Sequence, residues 1–239
     1  MVLAAVQPVY LPWLGYFEQI AIADRFLLVD DVKYSRHDWR NRNRIYTADG
    51  PMWLTVPVEH QESAFIQDVK IVHTLPWQHK HLRAIEYAYR RCPHFQPLFD
   101  DLARLLESTH SGMAGLNEQL IRMLCRYLKI DTPISLTSEI PRHADASDKN
   151  GRIVELCAYY DADILYVGPK AAAYLDVERL RRHGTDVVFQ DYIHPTYGQR
   201  FSPFVSHLSV IDLIFNTGDD APAILRSSPL PAALRESPG

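Results

Sequence analysis

Glycine-rich loops are missing from this chain. Its ten glycines form no Gly-x-Gly-x-x-Gly, no Walker loop and no Gly-x-Ser-x-Gly elbow. Those motifs put glycine where a backbone must approach phosphate or turn sharply at a nucleophile, so a Rossmann dehydrogenase, a P-loop ATPase and a serine hydrolase all lose ground. Cysteine is scarce as well. Cys92, Cys125 and Cys157 are odd in number and have no Cys-x-x-Cys spacing, which suits buried thiols in a reducing cytoplasm rather than disulfides or a zinc site. There is no His-Glu-x-x-His among the 11 histidines, and His79 and His81 stand two apart on an expected helix, pointing away from each other. No metal site is expected, and no cofactor motif is legible. Long apolar runs are absent too: Gln7-Pro8 cuts the opening run Val2–Val6, which has no basic flank, so neither a signal peptide nor a membrane span is expected. With a net charge of −4 the chain has no excess of basic residues, which argues against a broad surface for nucleic acid or acidic lipid. No internal repeat is found.

What remains is an ordinary globular composition, 47% hydrophobic and 23% charged, in a chain long enough to bury a core without staples. Val2–Val6 and Phe26–Val29 read as strands buried on both faces, joined by a short helix over Leu14–Ala23 in a parallel βαβ unit. Ala48-Asp49-Gly50-Pro51 carries an Asp-Gly hairpin signal between Arg44–Tyr46 and Met52–Val58, with Pro57 placing the second strand at an edge or ending it. Ile66–Val72 reads as a further short strand. Helices are expected over Trp77–Arg91, from Pro97 onward, and over Met113–Lys129, each with an apolar stripe. Alternation then resumes, with strands at Ile134–Leu136, Ile164–Val167 and Val187–Gln190 and helices at Ser147–Tyr160 and Leu175–His183. The expected fold is α/β: a mostly parallel, Rossmann-like sheet with covering helices and a helical insertion. It would form a single α/β domain over residues 1–216, with 77–130 as the insertion or subdomain. Gly, Asp, Pro, Ser and Ala dominate 217–239, which reads as a flexible tail.

Three stretches can carry chemistry. The first is the Pro- and aromatic-rich loop from Gln7 to Phe17, which includes Tyr10 and Trp13 and leaves a strand where α/β proteins bind ligands. The second combines Asp30-Asp31 with the basic run Arg36, Arg40, Arg42 and Arg44. If residues 40–44 are extended, Arg40, Arg42 and Arg44 share one side and Asn41 and Asn43 the other, a face for phosphate or carboxylate or else a solvated edge. The Asp pair could bind metal, hold hydroxyls or act as a base, or only cap a turn. The third runs from His194 through Tyr197 and Gln199 to Asp212, either a sugar or nucleoside lining or a loop packed by its own rings. Lys80 and His81 can serve as an anion donor or a proton shuttle.

Several runs together resemble the WbqC-like family: Gln7-Pro8-x-Tyr10-Leu11-Pro12-Trp13-Leu14-Gly15-Tyr16-Phe17, Asp30-Asp31-Val32, and Trp39-x-Asn41-Arg42-Asn43-Arg44-Ile45. Trp53 to Val58, Lys80-His81, Phe189 to Gln199 and Leu208 to Asn216 continue the likeness, which covers about residues 2–218. This chain departs from the family at the Gly168-Pro169 turn, where Val167, Lys170 and Ala171 replace serine and Ser-Gly. The resemblance implies an enzyme of cell-surface polysaccharide (O-antigen-type) biosynthesis, with acyl or aminoacyl transfer to a nucleotide-linked amino sugar. The expected partner is then a small molecule, a sugar nucleotide. Asp31 or His81 would be the general base. Gln7, Tyr10, Trp13, Asp30, Asn41, Arg42, Asn43, Arg44, Lys80, His194, Tyr197, Gln199 and Asp212 would bind substrate. Two other readings stay open. One is a nucleotidylyltransferase-like enzyme, although Trp13, Gly15 and Tyr16 stand where its His-x-Gly-His would be. The other is a non-catalytic sugar-nucleotide binding protein.

Overall fold

The computed structural model describes residues 1–35, 38–59, 64–145 and 148–235. Arg36 and His37, part of the basic run, lie outside them. The chain opens with β1 (Val2–Val6), α1 (Leu14–Ile22) and β2 (Arg25–Leu28), and β1 pairs with β2 in parallel. An antiparallel hairpin, β3 (Arg42–Thr47) and β4 (Gly50–Thr55), follows, then a short antiparallel pair, β5 (Val58–Glu59) and β6 (Lys70–Ile71). Three helices come next: α2 (Trp77–Tyr89), α3 (Leu98–Glu107) and α4 (Met113–Tyr127). The alternating half supplies β7 (Ile134–Leu136), α5 (Lys149–Tyr159), β8 (Ile164–Val167), α6 (Val177–Arg182) and β9 (Asp186–Phe189). It closes with α7 (Ile211–Thr217), α8 (Ala221–Leu225) and α9 (Ala232–Arg235).

The main sheet has five strands in the order β7-β2-β1-β8-β9, all pairs parallel. Alternation along these strands sorts the core into two layers. Leu3, Leu27 and Leu165 face a cluster with Val154 and Cys157 of α5 and Leu180 of α6. Ala4, Phe26, Leu28 and Tyr166 face a larger cluster that takes in α1, α2, α3, α4 and α7. The α2–α4 block therefore closes over one face of the sheet. Because β2 and β8 flank β1 on opposite sides, the chain direction switches between the ends of β1 and β8, where open parallel sheets bind ligands.

Three details differ from expectation. The register pairs Thr47 with Gly50, so the hairpin corner is Ala48-Asp49, and Gly50 opens β4 at φ +105°, a conformation that suits glycine. Residues 66–68 form a single 3₁₀ turn rather than a strand, because the N–H groups of Ile66 and Gln67 donate to the carbonyls of Val32 and Asp30 in the loop after β2. The tail expected from residue 217 is instead helical where it touches the core. Ala221 and Leu225, four apart on α8, are fully buried, and α8 packs on α1. Ala221, Pro222 and Leu225 are buried and Ile224 packs beside them, so a segment whose composition reads as loose docks on the core. No helix among the described residues is long and apolar enough to cross a membrane.

Candidate functional site

The opening loop lies across the C-terminal end of β1 and is held in an unfavourable shape. Leu11 has φ +44°, a region that side chains with a Cβ rarely occupy. Asn43 holds it there. Its Nδ2 donates to the carbonyls of Leu11 (2.7 Å) and Tyr10 (3.3 Å). Tyr10 N–H donates to the Trp39 carbonyl and Val210 N–H to the Pro12 carbonyl. Asn41 does a similar task one step away, its Nδ2 donating to the Val56 carbonyl at 2.8 Å. Both asparagines are buried and brace the loop and the hairpin. Gln7 stands where the loop leaves β1, and its carbonyl accepts from the Tyr16 hydroxyl.

Gly15, in the first turn of α1, lets the Trp13 ring lie flat on the helix, since a Cβ at that position would sit inside the indole. The indole stacks on His207 (5.0 Å between centroids, 23°) and on His194 (6.3 Å, 11°). Beside it runs the outer face of the hairpin. Arg42 pairs across from Thr55 and Arg44 from Trp53, so alternation puts these four side chains on one side and Asn43 and Leu54 on the other. Arg42 lies 4.6 Å from the Trp53 ring, and Arg44 lies 5.7 Å from Trp53 and 5.9 Å from Trp39. The two indoles touch at 5.2 Å and stay 38% and 44% exposed, a large aromatic surface left in solvent. Arg44 Nη2 donates to the His207 carbonyl at 3.5 Å, and Arg44 has no ion pair with any described residue. Guanidinium forks laid on indoles accept an anion in the plane of a stacked ring.

Arg40 does not join them. Residues 39–41 form a 3₁₀ turn instead of an extended run, and Arg40 is buried against Asp38 while its carbonyl accepts from Asn117. Burial works to raise the Asp38 carboxyl, but the Trp39 N–H, Arg40 and, most weakly, Lys170 after the Gly168-Pro169 turn together hold it below its usual range.

Past Thr55 the hairpin face meets a recess of about 160 Å³ lined by Thr55, Pro57, Leu75, Trp77, Lys80 and His81. Lys80 is exposed at its rim. His81 is buried, and burial pushes its pKa down to about 4, partly opposed by a hydrogen bond with the Thr55 backbone. Its Nδ1 lies 2.9 Å from the Tyr10 hydroxyl, so His81 fixes Tyr10, and through it the opening loop.

The Asp pair is also committed elsewhere. Asp30 accepts from Ser138 N–H (2.9 Å), Ser138 Oγ (2.7 Å) and Thr137 Oγ1 (3.2 Å). Asp31 accepts from Thr137 Oγ1 (2.6 Å), Arg152 Nε (3.0 Å) and Arg142 Nη1 (3.4 Å). Arg152 also donates to the carbonyls of Thr137, Ile140 and Pro141, so the cluster ties the end of β2 to the chain after β7. Its lone pairs face inward, and the role of base expected for Asp31 finds no geometry to support it.

Tyr197, Gln199 and Asp212 form a buried latch. Asp212 Oδ1 accepts from Tyr89 (2.9 Å), and Oδ2 accepts from Tyr197 and Gln199 (2.8 Å each). Burial raises the Asp212 carboxyl above its usual range, and these three donors pull it partly back. The latch fastens the late segment onto α2 and α7. Glu18 of α1 is a second buried carboxylate, raised by burial and bonded by Tyr166.

Of the residues expected from the sequence, Trp13, Arg42, Arg44 and His194 come together on one face, with Lys80 and His81 at its far end. His207, Trp39 and Trp53 belong with them. His207 sits at φ +57°, strained for a residue with a side chain. Its backbone N–H donates to His194 Nε2, and its Nδ1 meets the Ser206 hydroxyl at 2.8 Å. Burial and the charge of Arg44 lower its pKa, so the imidazole is neutral, and Nε2 has no hydrogen-bond partner among the described residues. No sequence motif marks it. Its position depends on a backbone angle and on contacts more than 160 residues apart in the chain.

The sequence profile of the WbqC-like protein family matches residues 7–224. The "Uncharacterized protein Rv1507c" of Mycobacterium tuberculosis is 36% identical over 227 residues, which span 93% of this chain and 96% of that protein. No solved structure matches. The matched span runs from the opening loop through the hairpin face to α8, and on that extent the chain belongs to the WbqC-like protein family.

Proposed function

We propose that this protein is an enzyme of cell-surface polysaccharide (O-antigen-type) biosynthesis, working in the cytoplasm on a nucleotide-linked amino sugar. It transfers an acyl or aminoacyl group to the sugar amine. The observation that carries the proposal is the hairpin face, where Arg42 and Arg44 lie on two exposed indoles beside His207, whose Nε2 has no hydrogen-bond partner among the described residues. Arg44 and Arg42 take the diphosphate, and Trp53 and Trp39 stack the base or the sugar. As the amine nitrogen bonds to the donor carbonyl carbon, its proton passes to His207 Nε2 and the donor's leaving group departs with the bonding pair. The recess at Lys80, at the far end of the face past Thr55, is the place for the part of the donor remote from its acyl carbon.

The test is calorimetric titration with nucleotide-linked amino sugars, paired with an acylation assay on the binder. Arg44→Ala and Trp53→Ala should each weaken binding by about tenfold or more. His207→Ala should keep affinity and lower turnover by about a hundredfold or more. A chain that binds no sugar nucleotide refutes the proposal. A second reading, a non-catalytic sugar-nucleotide carrier, is favoured by the commitment of Asp31 and His81 to internal bonds. It predicts the same binding losses with no turnover to lose.

A further inference from the structure

Away from the hairpin face, at the end of α2, a recess of about 150 Å³ is lined by Ala48, Tyr87, Arg90, Arg91, Arg200 and Phe201. Three arginines line it, in a chain whose acidic residues outnumber its basic ones, 29 to 25. Arg90 and Arg91 are exposed, and neither forms an ion pair with any described residue. Arg200 is held in place. Its Nη1 donates to the Ala88 carbonyl at 2.8 Å, and its guanidinium lies 4.9 Å from the Phe201 ring. The rings of Phe201 and the 63% exposed Tyr87 complete the walls. Cations gathered around one recess repel one another, and an anion between them relieves that repulsion.

We infer that this recess is a second anion site, taking the phosphate or pyrophosphate group of a small phosphorylated ligand. Paired donors from several arginines match such oxygens, and the flanking rings suit an attached planar or aliphatic group. The site is separate from the hairpin face, because the 201–203 segment packs on Tyr46 between them: the Tyr46 hydroxyl donates to the Pro203 carbonyl, and its ring meets Phe201 edge-on. The inference does not depend on the reaction proposed above.

The test is made in an Arg44→Ala chain, so that binding at the hairpin face is weakened. Inorganic pyrophosphate is titrated at low ionic strength and followed by calorimetry, with and without the added pair Arg90→Ala and Arg91→Ala. Both arginines are on the surface, and a thermal melt confirms that each chain is folded. The expected result is binding in the Arg44→Ala chain that weakens about tenfold or more when the pair is removed. If the Arg44→Ala chain binds no pyrophosphate, or binds it equally without the pair, the inference is overturned and these arginines serve only the end of the helix.

Discussion

Trp13 and Gly15 set the floor of the hairpin face. A methyl group at residue 15 would occupy the space of the indole and push it off His207 and His194. Gly15→Ala should therefore weaken sugar-nucleotide binding while costing about 1–3 kcal/mol of stability, measured by titration and urea denaturation. Unchanged affinity would show that the indole does not shape the site. The same scale shows why some residues were legible and others not. Alternation alone put Arg42 and Arg44 opposite Asn43, and that held because β3 is regular there. It failed for Arg40, two residues before the strand begins. Asp30-Asp31 looked like a site because position in a strand says nothing about partners. Ser138, Arg142 and Arg152, more than a hundred residues later, claim those oxygens.

At the scale of elements, the buried strands and striped helices were legible because each carries its own period of apolar residues, 2 or 3.6, within a few turns of chain. Short elements escaped. Residues 66–68 look like a strand until their N–H groups find carbonyls in another loop, and α8 is marked only by Ala221 and Leu225 amid loop-forming residues. The packing of α8 on α1 gives a direct check. Leu225→Ala should cost about 2–5 kcal/mol, as a fully buried leucine does, with sugar-nucleotide affinity unchanged. Urea denaturation decides it, since a frayed segment would give no change at all.

For the molecule as a whole, acid is the informative stress. His81 binds its proton near pH 6.5 in the unfolded chain and near 4 in the folded one. Below about 6.5 the unfolded state holds more protons, so stability falls with pH until the folded ring also titrates near 4, a loss of order 3 kcal/mol. His194 and His207, also lowered, act in the same direction. Asp212 and Glu18, raised by burial, act oppositely, because the folded chain takes up their protons first as pH falls. His81→Gln should make the decline between pH 6.5 and 5 shallower, read from urea midpoints across that range. An unaltered slope would remove His81 from the account. The sheet order has a further consequence, for the sequence of events at the ribosome. β1 is made first and finds β2 at once, but its other neighbour, β8, begins only at Ile164. At ordinary rates of synthesis the central strand waits roughly ten to thirty seconds with one edge unpaired. His207 is made later still, so the hairpin face cannot be complete until residue 207 has left the ribosome.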